Sequence, residues 1–211
     1  MVTCPFRQRR EACRLARWDE AAAAQHRRQA LEQCGLLPLY HGAALDQVHE
    51  AIRSEVGMYL LNLEEHRLAG RGLIITGGTG VGKTCVLALV GMRMLELAGG
   101  FRFVHAADIY RALHRRDEAE RAAAEELRQT SMLLFDEFAA PASSDFIYGE
   151  LEGLLEYRRG KRLPTCVTCN VPMKQLAKQP QWARIADRLR ETSHPTGREL
   201  MIPGGSRRGR S

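Results

Sequence analysis

Leu73-Ile74-Ile75-Thr76-Gly77-Gly78-Thr79-Gly80-Val81-Gly82-Lys83-Thr84 is the stretch that decides the fold. A short apolar, β-branched run stops at a glycine cluster. A mostly apolar stretch at helical spacing follows, from about residue 83 to residue 97, closed by Gly99-Gly100. Gly77 to Thr84 matches G-x-x-x-x-G-K-[ST] in full, and it joins a strand to a helix as that pattern requires. Glycines let successive backbone N–H groups curl around phosphate oxygens, and the helix N-terminus adds a favourable dipole. Gly77, Gly78, Thr79, Gly80, Val81, Gly82, Lys83, Thr84 and the adjoining Cys85 are therefore the expected nucleotide cradle. Lys83 is placed to bridge β- and γ-phosphates, and the Thr84 hydroxyl to ligate Mg²⁺.

Outward from the cradle, further strands are expected at residues 101–105, 132–135, 165–169 and 199–202. An apolar stripe at Leu45, Val48, Ile52, Val56, Tyr59, Leu60 and Leu63 keeps a 3.6-residue period and predicts a helix, followed by a turn from residue 66 to 72. Other helices are expected at residues 109–127, 145–159 with Ser144 as N-cap, and 183–190. Near-continuous apolar strands alternating with helices predict an α/β domain with a parallel sheet covered on both faces.

Two more segments carry chemistry. Leu133-Leu134-Phe135-Asp136-Glu137 delivers an acid at the C-terminal end of an apolar strand, where a Mg²⁺-organising carboxylate belongs in a phosphate-loop fold. Glu137 beside it is the candidate for polarising a water for attack on the γ-phosphate. In Thr165-Cys166-Val167-Thr168-Cys169-Asn170, Asn170 ends a strand and is placed to put its amide on the γ-phosphate or the attacking water. Cys166 and Cys169 form a Cys-x-x-Cys. Residues three apart on a strand point to opposite faces, however, and no second pair completes a metal site, so core packing is the reading. The sequence lacks an Asn-Lys-x-Asp element for guanine, which favours ATP over GTP.

Composition sets the bounds. The chain has 211 residues, 45% hydrophobic and 27% charged, enough apolar material for one globular domain and too much for a disordered chain. Apolar runs stay well short of the ~18 residues of a membrane helix. Arg7, Arg9, Arg10, Arg14 and Arg17 are not followed by an apolar signal core, so a cytoplasmic protein without membrane association is expected. A net charge of +6 and a pI of about 9.2 suit a polyanionic partner, nucleic acid before membrane. The six cysteines are scattered and read as thiols.

The motifs resemble the Walker A (Gly77 to Thr84), Walker B (Asp136-Glu137) and sensor 1 (Asn170) elements of AAA+ ATPases, and Arg184-Ile185-Ala186-Asp187-Arg188-Leu189 is similar to their arginine-finger box. More narrowly, residues 36–208 resemble the DnaC/DnaI helicase loaders and their IstB transposition relatives. Three features carry that likeness. Cys34-Gly35-Leu36-Leu37-Pro38-Leu39-Tyr40 is similar to the short segment that leads into the nucleotide domain of that branch. Only 23 residues follow Arg188, too few for the C-terminal helical lid that the branch lacks. Gly204-Gly205-Ser206-Arg207-Arg208 is similar to its G-x-S-x-R ending, which makes Arg208 a sensor-2-like arginine.

The resemblance implies a nucleotide site completed by a neighbouring subunit, with Arg188, or Arg184 one turn earlier, as the transferred cation. A monomer is then a slow ATPase, and self-association runs through the ATP site. Single-stranded DNA along the assembled domains would meet Arg111, His114, Arg115 and Arg116 after the second strand, and Tyr157, Arg158, Arg159, Lys161 and Arg162 after the long helix, with Tyr110 and Tyr157 as stacking platforms. Residues 1–40 are expected to be a helical partner-binding segment, 41–203 the ATPase domain and 204–211 a basic tail. Cys4, Cys13 and Cys34, even with His26, lack the close pairing of zinc modules, and a basic helix docking a partner is the reading. The implied function is ATP-dependent loading of the replicative DNA helicase onto single-stranded DNA. The alternative is an IstB-like regulator of transposition assembling on duplex DNA.

Overall fold

The computed structural model describes residues 20–139 and 145–205. Residues 20–33 form α1. Single 3₁₀ turns at Pro38–Tyr40 and Leu45–Gln47 lead to α2 (Glu50–Leu61) and α3 (Leu63–Leu68). Then follow β1 (Ile74–Gly77), α4 (Lys83–Glu96), β2 (Arg102–His105), α5 (Ala106–His114), α6 (Glu118–Gln129), β3 (Leu133–Asp136), α7 (Asp145–Gly160), β4 (Thr165–Cys169), α8 (Met173–Leu176), α9 (Pro180–Glu191) and β5 (Leu200–Ile202).

All strands pair parallel in the order β2-β3-β4-β1-β5. The chain leaves β1 for the far edge at β2, returns through β3 and β4, then passes beyond β1 to β5. Because same-handed crossovers that reverse direction land on opposite faces, α4 covers one face and α5 to α9 the other. Burial follows. Ile75, Leu134 and Cys166 pack with α4, α2 and Leu31 of α1, whereas Ile74, Leu133, Phe135, Val167 and Cys169 pack with α5, α7 and α9. Cys166 and Cys169 thus lie in different layers as free thiols. Among the described residues, nothing helical follows β5, and no helix is long and apolar enough to cross a membrane.

Several elements differ from expectation, each for a local reason. The stripe from Leu45 is broken at His49, whose ring accepts from the Ala51 N–H at 3.1 Å and starts α2 afresh. The first three residues of the turn expected over 66–72 belong instead to α3, where Leu63 and His66 are buried. The single helix expected over 109–127 is two. Arg115 takes a left-handed φ of 53°, Asp117 accepts from the Glu120 N–H at 2.8 Å, and Glu120 reaches back to the Arg116 N–H at 2.7 Å. That Asp-x-x-Glu was a readable start signal. α9 begins at Pro180, a residue suited to a first helical turn, rather than at residue 183. Ser144 lies outside the described residues.

α1 is tied into the domain. Leu31 and Leu36 are each 1% exposed in the α4-side core, Arg27 pairs with Glu96 at 3.2 Å, and the Phe103 N–H donates to the Cys34 carbonyl at 2.8 Å. Cys4 and Cys13 fall outside the described residues.

Below the sheet, Tyr59 stacks on His66 at 4.6 Å, and His66 lies 4.0 Å from His194. Burial pulls both imidazoles below the ordinary histidine value; His194 and Arg71 add to the effect at His66, Arg71 adds to it at His194, and Glu65 opposes it at both. A depressed folded-state pKa means that the unfolded chain binds the proton first. The stability these rings contribute is present above about pH 6.5 and is lost as pH falls below it. The melting temperature is therefore expected to hold from pH 8 to pH 7 and to drop by a few degrees toward pH 5.5, as read by thermal denaturation. His66→Phe, which keeps the stack on Tyr59, should flatten that drop; an unchanged slope would contradict the assignment.

Candidate nucleotide-binding site

The reversal of crossover direction at β1 opens the sheet at the C-terminal ends of β1 and β4, the place where parallel α/β folds bind ligands. The loop between β1 and α4 wraps that edge. Gly77 sits where an added Cβ would stand 2.6 Å from the Ile202 carbonyl oxygen, and Gly82, with φ 101°, turns the chain into α4 in a conformation that other residues adopt only under strain. A glycine loop running into a helix N-terminus in this way is suited to surround a phosphate with backbone N–H groups. Val81, 2% exposed, pins the loop to the core.

Strand periodicity sets what meets there. On β4, Cys166, Thr168 and Asn170 share the α4 side, as do Leu134 and Asp136 on β3. The Lys83 ammonium donates to the Gly77 carbonyl at 2.8 Å, the Gly78 carbonyl at 2.7 Å and Asn170 Oδ1 at 2.7 Å. Burial pulls its pKa down from the usual lysine value, while Asp136, Cys169 and Glu137 pull the other way. The Thr84 hydroxyl donates to Asp136 at 3.1 Å (Oδ2) and 3.3 Å (Oδ1). Asp136, 2% exposed, also accepts from the Thr168 hydroxyl and faces His105 Nδ1 at 3.5 Å. Glu137 is exposed beyond it with φ 57°, its N–H held by Thr168 Oγ1 at 2.9 Å. A hydroxyl and a buried carboxylate side by side form the all-oxygen donor set that suits Mg²⁺. Thr168 and His105 were missed from the sequence. The signal for Thr168 was its place two residues before Asn170 on the same strand face.

The candidate cations stand elsewhere. Arg188, half-buried, bonds Glu156 at 2.5 Å and Glu152 at 3.3 Å, while Arg184 is 80% exposed and only 3.9 Å from Glu152. Both belong to α9 against α7. Among the described residues, no arginine bonds Lys83, Thr84, Asp136 or Asn170. Arg208 lies outside the described residues.

The expected DNA contacts divide. Arg158 is corrected: it is 1% exposed and spends its guanidinium on the Leu127, Arg128, Thr130 and Pro164 carbonyls and the Thr165 hydroxyl, capping the end of α6 from inside. Tyr110 is likewise internal, 8% exposed and bonded to the Phe138 carbonyl at 3.1 Å. Tyr157 is covered by Arg128 at 4.6 Å, and Arg159 pairs with Glu156 and Glu191. Lys161 and Arg162 are exposed. Tyr157, Arg158 and Arg159 lie in the last turn of α7, and Lys161 and Arg162 in the turn that leads into the N-terminal end of β4, the end of the sheet away from the phosphate loop. Arg115 pairs with Glu150 at 3.1 Å, and Arg116 is exposed beside it. Near them Phe146, 56% exposed, stacks on His114 at 6.5 Å, an aromatic platform that sequence reading passed over.

A parallel β2-β3-β4-β1-β5 sheet, with the phosphate loop after β1, an acid pair at the end of β3 and an asparagine after β4, is the fold of P-loop AAA+ domains, without a helical lid among the described residues. Solved structures share this fold. DnaI matches at TM-score 0.65 and 24% identity over 82% of this chain and 94% of its own, and the DnaC helicase loader at 0.63 and 18% over 79% and 100%. The replication initiator DnaA bound to AMPPCP and single-stranded DNA matches at 0.64 and 16% over 80% and 51%. No protein-family model matches the sequence, and no curated protein sequence does. At these identities the shared property is the fold.

Proposed function

We propose that this chain is an ATP-hydrolysing AAA+ protein of DNA replication that loads the replicative helicase onto single-stranded DNA. One observation carries the reading. Lys83, Asn170, Thr84 and Asp136 converge at the switch point, whereas both candidate arginines stand on α9, paired with carboxylates of α7. On binding ATP, Lys83 exchanges the Gly77 and Gly78 carbonyls for β- and γ-phosphate oxygens, and the N–H groups from Gly78 to Thr84 hold the remaining phosphate charge, with that of Cys85 joining if it leaves the Gly82 carbonyl. Mg²⁺ held by Thr84 and Asp136 would neutralise charge on the β- and γ-oxygens. Asn170 orients the γ-phosphate or the attacking water, and Glu137 takes that water's proton. The remaining cation comes from the next copy, so ATP closes a seam between subunits and hydrolysis opens it. Of the two arginines, Arg184, 80% exposed with one contact to Glu152 at 3.9 Å, is the readier to reach; Arg188 is held by two carboxylates. Arg208 is retained as a sensor-2-like contact.

The net charge of +6, together with a fold shared with the DnaC helicase loader and with DnaA bound to single-stranded DNA, supports the replication setting. The DNA face we favour is the Phe146–His114 platform flanked by Arg115 and Arg116, with Arg159 and Lys161 as a separate group at the N-terminal ends of the strands. The N-terminal segment is the proposed helicase contact, and the cytoplasm the proposed location.

The test uses Glu137→Gln, which is expected to lower hydrolysis by roughly 10²–10⁴ while leaving nucleotide affinity intact. Loaded with ATP, it should hold a labelled single strand roughly tenfold tighter than the duplex of the same sequence. It should also co-elute with the replicative helicase of its own cell only when ATP is present. A duplex filament without a helicase complex would replace this reading with the transposition one.

A further inference from the structure

Three consecutive residues, the last of β3 and the two that follow it, are held by one residue of β4. The Thr168 hydroxyl donates to Asp136 Oδ1, the Glu137 N–H donates to that same hydroxyl at 2.9 Å, and the Phe138 N–H donates to the Thr168 carbonyl at 2.9 Å. Thr168 is completely buried, so water does not compete for these bonds. Its hydroxyl has a single proton, given to the carboxylate, and its lone pair takes the peptide N–H; the two bonds fix the rotamer between them. What they restrain is strained. Glu137 has φ 57°, a conformation that a non-glycine residue keeps only where its surroundings over-determine it. Asp136 has a competing partner in the Thr84 hydroxyl, at 3.1 Å and 3.3 Å, which must turn its oxygen outward to serve as a metal ligand. The bond from Thr168 is the one that does not have to change.

We propose that Thr168 is a positioning residue for hydrolysis: its buried hydroxyl fixes the Asp136 carboxylate and the Glu137 peptide together, so that the metal-organising and water-polarising acids are set by one side chain that touches neither nucleotide nor water. This deepens the ATPase reading above and rests on it. It also gives β4 a double role, because Asn170, two residues further along the same face, meets Lys83. Loss of the hydroxyl leaves the fold's apolar contacts in place. It frees Asp136 to rotate toward Thr84 and releases the left-handed turn at Glu137.

The experiment compares Thr168→Val, which keeps the shape and removes the hydroxyl, with Thr168→Ser, which keeps the hydroxyl. Removing a partner that orients a metal ligand costs about 10–100-fold in metal affinity or activity. In Thr168→Val we expect kcat to fall by about that factor, and the Mg²⁺ concentration that half-saturates binding of a fluorescent non-hydrolysable ATP analogue to rise by about the same factor. Affinity for the analogue in EDTA should stay within about twofold, because the phosphate cradle is untouched, and Thr168→Ser should track the wild type in both readouts. A merely structural role would lower the melting temperature without moving the Mg²⁺ requirement. If valine prevents folding, the same comparison between Thr168→Ser and Thr168→Ala isolates the hydroxyl. A hydroxyl-free variant that folds and matches wild type in kcat and Mg²⁺ requirement overturns the proposal while leaving the ATPase reading standing. A wild-type protein that neither binds nor hydrolyses ATP overturns the ATPase reading itself.

Discussion

Lys83→Ala is expected to abolish nucleotide binding. The ammonium donates to two loop carbonyls and to Asn170, all within 2.8 Å, so it is held over the phosphate loop beside the asparagine expected to meet the γ-phosphate. Phosphate oxygens would replace the two carbonyls as acceptors, and each such charge-assisted bond contributes about 1.5–3 kcal/mol. Two of them amount to roughly 10²–10⁴ in affinity. Isothermal titration with an ATP analogue should therefore detect nothing at protein concentrations that saturate the wild type. The fold should not suffer. Burial pulls the Lys83 pKa down, meaning that the folded state holds this proton less readily than the unfolded chain does, so removing the ammonium removes a desolvation cost. A melting temperature equal to or slightly above the wild-type value is the matching control. Normal nucleotide affinity in this variant would place the phosphate cradle elsewhere.

The cradle was legible because its information is local. A glycine pattern between a strand and a helix fixes backbone direction within a dozen residues, and period-two alternation puts Asp136 and Asn170 on the face that α4 covers; Thr168 obeys the same rule but carries no motif that marks it. The sheet's parallel character was legible from the near-continuous apolar strands. Partnership between distant segments was not. Arg158 sits in a run of cations that reads as surface, and only the folded chain brings the carbonyls ending α6 and the Pro164 carbonyl to it as acceptors. Tyr110 has the side chain of a stacking platform, yet its hydroxyl is needed by the Phe138 carbonyl inside the domain, while Phe146, which the sequence does not single out, is exposed. In the same way α1 reads as an appendage, and the burial of Leu31 and Leu36 against the α4 layer makes its C-terminal end part of the domain. The choice between Arg184 and Arg188 also depends on partners invisible in sequence, namely Glu152 and Glu156, one turn apart on α7.

That choice leads to the second large effect. If the site is completed across a seam, Arg184→Ala should lower the ATPase rate of the assembled protein by roughly 10³, the scale on which a transferred arginine acts in other NTPases, without changing nucleotide affinity of the isolated chain. Arg188→Ala should act more weakly, since its guanidinium is engaged with Glu152 and Glu156, and should show its effect first in the packing of α9 on α7. Mixing then separates a shared site from a self-contained one. Lys83→Ala has no working cradle but an intact Arg184; Arg184→Ala has the reverse. In a head-to-tail assembly drawn at random from equal amounts, half the seams have a competent cradle and half of those meet a competent arginine, so about a quarter of wild-type activity should return from two inactive proteins. Activity should also rise more steeply than linearly with protein concentration, because the seam is the enzyme. Two outcomes would refute the shared site: a mixture that stays inactive although the wild type turns over, or an Arg184→Ala, Arg188→Ala double variant that turns over at the wild-type rate. Loss confined to Arg188→Ala would keep the seam and transfer the role, requiring that assembly pull Arg188 away from its two carboxylates.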